Sequence, residues 1–376
     1  MIEARRRQLS GLQSDHANHT GLWLDRYLPK QIKRGEKLEA NQAKPLVTMM
    51  DQAARLAISD AYQQFYPRWK QSLFDLGAQC REAKVLGRMV VGLGDESVLE
   101  TSVALHHTYG VPYIPGSALK GLAARFVRER LAGVTDWGDW KVEDERKTWV
   151  AGRGYRTIFG DTANAGYISF FDALLVVPES GPIPQALYPD VITVHHPKYY
   201  QGEKDAAPAD WDSPTPVPFL SATGSYLIAL SGPAAWVDAT FAILGHALRE
   251  LGVGAKTSSG YGRMEVGEML VRKLTPKEQA EQAKAAAEAQ VKQFSLHSQQ
   301  HMMKPVQSIA GAGVIMQLKN PPKGLTLRFW LPEEAFQGRP APSGDTKCSL
   351  HELIEHDGEW LLRLEWPMKQ RKGEPL

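Results

Sequence analysis

"GVGAKTSSGYGR", spanning Gly252 to Arg263, places four glycines, one lysine, one arginine and a Thr-Ser-Ser run in twelve residues. Glycines let backbone N–H groups lie close to an anion or to another stretch of chain. Lys256, Thr257, Ser258, Ser259 and Arg263 supply donors suited to phosphate oxygens, and Tyr261 is placed either to stack on a base or to pack. Nucleotide-loop signatures do not fit. A P-loop needs glycine where Ala255 and Glu250 stand. The dinucleotide fingerprint runs strand, glycines, helix, whereas here a helical pattern precedes the loop and a strand pattern follows it. Two readings remain on the loop alone: a cradle for an extended polyphosphate such as single-stranded RNA or DNA, or a tight turn with structural duty only.

Upstream of the loop, "AAWVDATFAILGHALRELG" (234–252) has helical periodicity and "GSYLIALSG" (224–232) reads as a strand; downstream, "RMEVGEMLVRKL" (263–274) reads as another. Further back, "VPYIPGSALKGLAARFVRERLAG" (111–133) is an extended segment, a Gly116-Ser117 turn and N-cap, a helix over 118–131 and a C-cap at Gly133. Its helix start attracts anions, and Lys120 adds charge one turn inside. "AKVLGRMVVGLGDESVLET" (83–101) predicts a strand over 85–93 and a hairpin partner reaching His107, while "YISFFDALLVVP" (167–178) predicts one buried strand. Between them, "WGDWKVEDERKTW" (137–149) reads as a helical insertion.

Residues 1–84 read as an arm and a helical region belonging to the same fold, the arm forming a short strand near 21–31 and a helix over 46–80 breaking near Pro67. Residues 85–274 then run strand, strand, helix, strand, insertion, strand, helix, strand, an α+β pattern of ferredoxin-like or RRM-like type with large insertions. The insertion, 179–218, is rich in Pro, Gly, Asp and Tyr and reads either as a thumb-like hairpin or as a surface loop. An alanine-rich helical connector (275–304) and a small β-rich appendage (305–376) follow.

Composition bounds the rest. The chain has 376 residues, 43% hydrophobic, and a formal net charge of +2, which leaves room for a local basic groove. Cys80 and Cys348 lie far apart without metal-ligand spacing, consistent with a reducing cytoplasm, and no apolar run reaches the ~18 residues of a membrane span. The N-terminal segment reads as no secretory signal, and its Arg5-Arg6-Arg7 run as a solvated arm or an RNA contact. No zinc spacing links His195, His196 and His246 to cysteines or carboxylates, so neither metal nor cofactor is expected. Adjacent His106 and His107 suggest acid–base chemistry, yet in an extended segment neighbours point to opposite faces, so only one faces a given site. Asp25 reads as a cap or surface residue.

"YIPGSALKG" and "GVGAKTSSGYGR" together resemble the paired signatures of the RAMP superfamily of CRISPR proteins. "NHTGLWLDRYL", "RMVVGLG", "LHHTYGVPYIPGSALKG" and "FGDTANAGYISFFDALL" are similar to the branch that supplies the sixth subunit of type III-B Cmr effector complexes. The resemblance covers about residues 15–270 and leaves the tail unexplained. It implies an RRM-like core and a non-catalytic, cytoplasmic subunit that holds the 3′ part of the CRISPR RNA and the guide–target duplex. It also implies a backbone RAMP subunit, a small subunit and a neighbouring RAMP subunit at the 3′ end as partners. On this chain it points to Lys120, Lys256, Thr257, Ser258, Ser259 and Arg263 as RNA contacts, with His106, His107 and Tyr261 beside them. The rival expectations are a metal-free endoribonuclease that processes guide RNA and a purely structural spacer.

Overall fold

A computed structural model describes residues 17–27, 40–134, 136–143, 146–194, 196–200, 202, 207–209, 215–272, 274, 276–294, 296, 300–356 and 359–366. The arginine run at 5–7 and His195 lie outside them. Two units partition the chain, Met1–Arg272 and Lys273–Leu376.

The first unit opens with helices. α1 (Thr20–Arg26) stands where a short strand is expected: His19 Nδ1 accepts the Leu22 N–H at 3.1 Å, an N-cap that turns the chain into a helix. Trp23 and Leu24 are buried, and Trp23 stacks on Tyr27. α2 (Ala40–Ala54) and α3 (Asp60–Asp75) replace the single helix predicted over 46–80. The break falls before Ser59, whose Oγ caps α3 through the Tyr62 N–H, and not at Pro67. Pro67 sits exposed inside α3, where its missing N–H removes only one helical bond.

The sheet is built from β1 (Gln79–Val85), β2 (Tyr113–Ile114), β5 (Ser169–Phe170), β6 (Ala173–Leu175), β9 (Ser225–Ser231) and β10 (Met264–Met269). Its order is β10-β1-β9-β6-β2, with β5 also on β9, and every pair is antiparallel. Helices α4 (Gly116–Arg130) and α7 (Ala234–Glu250) pack on each other, and α7 also contacts β9 and β10. β9 is central: Tyr226 to Leu230 are fully buried, so both its faces are covered. Leu227, Ile228 and Leu230 each contribute about 1.5–3 kcal/mol of apolar burial.

Between the sheet strands lie two antiparallel hairpins and two short helices. β3 (Gly138–Glu143) and β4 (Arg146–Ala151) form the first hairpin, where a helix is predicted. The cross-strand Trp140–Trp149 pair, 5.4 Å between ring centroids, favours a pleated ribbon over a helix. α5 (Arg153–Phe159) follows. β7 (Leu187–Val194) and β8 (Thr215–Ala222) make the second hairpin within the 179–218 insertion, with α6 (Pro197–Tyr200) between them.

Two strand predictions change. The strand expected over 85–93 is β1, six residues earlier in its start, and no hairpin follows it. Instead the carbonyls of Arg88 and Val90 accept N–H groups of Gly262 and Ala255, and Met89 bridges to Ala222. Residues 88–90 are therefore committed to the glycine loop and the end of β8, while the Val91 and Leu93 carbonyls accept the Ala104 and Ser102 N–H groups, two bonds to the expected partner that do not grow into a ladder. The single strand predicted over 167–178 is divided into β5 and β6, with Phe171 and Asp172 between them; Asp172 serves another element, described below.

In the second unit, α8 (Pro276–Gln293) precedes β11 (His301–Ile309), β12 (Gly313–Leu318), β13 (Arg328–Pro332), β14 (Thr346–His356) and β15 (Glu359–Glu365). The strands close into a barrel in the order β11-β12-β13-β15-β14. Met303, Val314, Met316, Phe329, Leu331, Cys348, Leu362 and Leu364 fill it, and Val291 of α8 joins the same core. Residues 275–304, read from composition as a connector, thus include a helix anchored to the barrel and the start of its first strand. Among the described residues no helix is long and apolar enough to cross a membrane.

Candidate nucleic-acid interface

The glycine loop joins the C-terminus of α7 to β10, and it has two halves. In the inner half, Val253 N–H donates to the Gly262 carbonyl at 2.9 Å, Ala255 N–H to Val90 at 2.8 Å and Gly262 N–H to Arg88 at 2.8 Å. Gly254 (φ +88) and Gly262 (φ +73) adopt a left-handed backbone, and a Cβ on either would run into a carbonyl oxygen, that of Val90 or of Val253. These glycines are needed because the loop lies against residues 88–90 and against itself.

The outer half is a 3₁₀ turn over Thr257–Ser259, entered through Lys256 in the left-handed region (φ 58) and left through Gly260 (φ 89). Ser258, Ser259 and Gly260 are exposed, and a Cβ at Gly260 would meet nothing within 4 Å. Ser259 and Gly260 N–H groups close the turn onto the carbonyls of Lys256 and Thr257. The N–H groups of Thr257 and Ser258 are the turn's opening donors and have no intrahelical acceptor. A left-handed residue followed by right-handed turn residues aims successive N–H groups into one concavity, a geometry that accepts anions. The Lys256 side chain beside it makes no ion pair among the described residues.

Two predicted contacts are engaged elsewhere. Arg263 Nη1 donates to the Arg249 carbonyl at 2.8 Å, anchoring the loop to the last turn of α7. Tyr261 OH donates to Asp190 Oδ2 on β7 at 2.6 Å, and its ring lies 6.2 Å from that of Phe219. Burial, followed by the bond to Asp190, pushes the Tyr261 phenol up to about 12. Arg88 adds a second tie to the hairpin by laying its guanidinium over the Tyr188 ring, 3.8 Å from the centroid. The loop is thus latched to β7 and β8 through Tyr261 and Arg88.

Lys120 belongs to a different place. The Gly116 N–H that opens α4 donates to Asp172 Oδ1 at 2.7 Å, so a carboxylate of the chain occupies the helix start, and Ser117 does not cap it. Phe170 and Phe171, beside Gly116, align through Leu230 with Gln79, the first residue of β1. The glycine loop adjoins Val85, the last residue of β1, because Val85 pairs with Met264 and Leu86 N–H reaches the Arg263 carbonyl. The whole of β1, about 20 Å of strand, separates the start of α4 from the glycine loop. Half-buried Lys120 itself makes no ion pair among the described residues.

The histidines lie beside the β2 edge of the sheet, on the side of Asp172 and the start of α4, whereas the loop lies at the β10 edge. His106 is half-buried among Phe65, Tyr109 and Tyr113, and its Nδ1 accepts the Thr108 N–H at 3.3 Å. Burial holds its pKa below the ordinary value, with His107 and His19 acting the same way and Asp172 opposing them. His107 is exposed, and its carbonyl accepts a hydrogen bond from His19 Nε2 at 3.0 Å. His19, His106 and His107 line a cleft of about 330 Å³ together with Asp25 and Glu96. Among the described residues no cluster of three or more His, Cys, Asp or Glu is arranged to hold a metal ion.

The sequence reading missed Arg88, Asp172, Asp190 and His19. Asp172 alone left a signal, as the single charged residue inside an otherwise apolar strand pattern. The partners of the others come from distant positions that no local spacing reveals.

Residues 82–265 match the model of the RAMP superfamily, a span that includes β2, β5, β6 and β9 whole, the last four residues of β1 and the first two of β10, and the glycine loop with them. At 36% identity over 248 residues, covering 54% of this chain and 73% of the relative, the chain is similar to the CRISPR system Cmr subunit Cmr6 of Pyrococcus furiosus. It belongs to the Cmr6 family of the RAMP superfamily. Among solved structures, the type III-B Cmr-beta complex bound to cognate target RNA contains a chain matched at a TM-score of 0.49 and 17% identity, over 73% of this chain and 99% of that one. The crystal structure of Cmr6 from Pyrococcus furiosus is matched at a TM-score of 0.32 and 30% identity, over 50% and 97%.

Proposed function

We propose that this chain is a non-catalytic, cytoplasmic RNA-binding subunit of a type III-B CRISPR effector complex, built on an RRM-like core. It holds the 3′ part of the CRISPR RNA and the guide–target duplex beside a backbone RAMP subunit, a small subunit and a neighbouring RAMP subunit. Membership of a family whose Pyrococcus furiosus representative is named a Cmr subunit supports the assembly. Strand order supports the core: with β2 set aside as an extra edge strand, β10-β1-β9-β6 is the 4-1-3-2 order of a ferredoxin-like unit.

The observation that carries RNA binding is the outer half of the glycine loop. Lys256, the N–H groups of Thr257 and Ser258 that the turn leaves without an intrahelical acceptor, and the exposed Ser258 and Ser259 lie together on this one turn, a set of donors suited to a phosphate. Such contacts carry no base information, which suits a subunit whose target is read by pairing with a guide. Arg263 and Tyr261 serve here by holding the loop, while Lys120, His106 and His107 belong to other parts of the surface.

The test is guide-RNA affinity of the reconstituted complex over a salt series. Lys256→Ala is expected to weaken binding and to reduce the slope of log K against log salt by about 0.7, the value of one phosphate contact on a single strand. Identical affinity and slope for Lys256→Ala and wild type would remove the loop from the interface.

A further inference from the structure

The barrel of the second unit has a topology with a binding habit. Its five strands close in the order β11-β12-β13-β15-β14, with β13 and β15 parallel and every other pair antiparallel. This is the strand order of the OB-fold, a small Greek-key barrel that presents the outer surface of its second and third strands, and adjoining loops, to oligonucleotides or oligosaccharides. Fold alone assigns no function, so the surface has to be read residue by residue.

Charge is segregated along the barrel. Residues 301–332, which form β11, β12 and β13, contain Lys304, Lys319, Lys323 and Arg328 and no acidic residue, and every carboxylate of the barrel lies after Pro332. Alternation then sorts the side chains. Met303, Met316, Leu318 and Cys348 point into the core, so Met302, Lys304, Gln317, Lys319 and Lys347 point outward. Register brings these together: Lys304 is opposite Gln317, Met302 is opposite Lys347, and the Lys319 N–H donates to the Met302 carbonyl. Arg328 enters β13 one position before the Met316–Phe329 pair, beside Gln317.

Two of these cations are partly neutralised, Lys319 by Asp345 at 2.6 Å and Arg328 by Glu359 at 2.8 Å. Lys304 and Lys347 are exposed and make no ion pair among the described residues. The aromatic that many single-strand binders present is absent from the open surface, since Trp330 is only 5% exposed and is packed against His356. A carbohydrate platform is poorly served by such a face, whereas a run of phosphates is well served.

We propose that the outer face of β11, β12 and β13, with Lys347 at its border, binds the sugar–phosphate backbone of a single-stranded polynucleotide. With no stacking platform the contact is electrostatic, steeply salt-dependent and indifferent to base identity. The inference does not depend on the glycine loop, because it rests on a separate unit with its own core.

The experiment uses the full chain carrying Lys256→Ala, which leaves the barrel as the surface under test. Binding of fluorescent 15-nucleotide U and A single strands, as RNA and as DNA, is followed by anisotropy over a salt series. In that background Lys304→Glu with Lys347→Glu is expected to lower affinity about tenfold or more at low salt, equally for U and A. The milder Lys304→Gln with Lys347→Gln is expected to reduce the salt slope by about 1.4, two single-strand contacts. Equal effects on RNA and DNA indicate backbone recognition in general, and effects on RNA alone indicate use of the 2′-hydroxyl; both support the proposal. Unaltered melting of the two variants establishes that the barrel remains folded, and crosslinks from 4-thiouridine RNA are expected within residues 301–332. Affinity and slope unchanged in both variants, or crosslinks confined to residues outside the barrel, would overturn it. Loss of binding on introducing Lys256→Ala into wild type, with no further change from the barrel substitutions, would leave the loop assignment intact while rejecting this one.

Discussion

The turn at Pro115–Lys120 and the loop at Gly252–Arg263 both bring glycine, a hydroxyl and a lysine to a helix end, and the fold closes one while opening the other. At the first, Asp172 takes the leading N–H of α4, so the attractive end of the helix is already satisfied. At the second, the inner half is closed on residues 88–90, yet the 3₁₀ turn over Thr257–Ser259 leaves its leading N–H groups without a backbone acceptor, half-buried at Thr257 and on exposed Ser258. Residue types alone do not make an anion site. What decides is whether the chain's own acceptors reach the donors first.

The largest expected effect probes the two halves of the loop against each other. Gly262→Ala combines a left-handed backbone with a Cβ directed at the Val253 carbonyl, and a loss of about 3–4 kcal/mol is expected. Gly260→Ala has the same backbone strain but open space, so about 1–2 kcal/mol is expected. Urea unfolding of both variants checks the contrast. Equal losses would mean that the inner half is no more tightly packed than the tip.

Next comes the closed turn. Asp172→Ala strips the cap from α4, and a cost of about 1–2 kcal/mol is expected. A variant as stable as wild type would show that the helix start is not held by this carboxylate, and the distinction between the two turns would lapse. Tyr261→Phe tests the latch between loop and hairpin. Removing a hydroxyl that donates to Asp190 is expected to cost about 1–2 kcal/mol, and to speed proteolysis within the β7–β8 hairpin. An unchanged digestion pattern would separate the hairpin from the loop.

The sequence made the elements flanking the loop readable because their apolar spacing is regular. β9 and α7 fall within a residue or two of the segments predicted from periodicity, and β10 begins within one residue of its prediction but ends five residues early, at Met269. It failed where long-range partners override local pattern. "WGDWKVEDERKTW" has enough charge to look helical, but the Trp140–Trp149 contact that makes it a hairpin is visible only once the strands are paired. "VLGRMVV" looks like a strand, but its Arg88 and Val90 carbonyls serve the glycine loop. Site reading met the same limit: Lys256, Ser258 and Ser259 are identifiable from composition, whereas the engagement of Arg263 with Arg249 and of Tyr261 with Asp190 depends on where distant backbone arrives. The barrel shows a third case. Its charge segregation can be read directly from residues 301–332, yet it acquires meaning only when register turns Lys304, Lys319 and Lys347 to one side.

The smallest effect concerns the histidines, which share neither turn. Burial among Phe65, Tyr109 and Tyr113 keeps the His106 pKa below its ordinary value of about 6.5. Between those two values the unfolded chain binds the proton and the folded chain does not, so stability rises with pH across that window. The contribution of neutral His106 is complete above about 6.5 and is lost as pH falls from there toward the folded value. Because the ring is only half-buried, solvent screens the effect and its size is modest. Urea midpoints measured from pH 7.5 to pH 5 are expected to fall more steeply for wild type than for His106→Gln, which keeps a polar side chain but does not titrate. Parallel pH profiles would mean that His106 is as freely hydrated as His107, and that the aromatic cluster at the β2 edge does not exclude water from it.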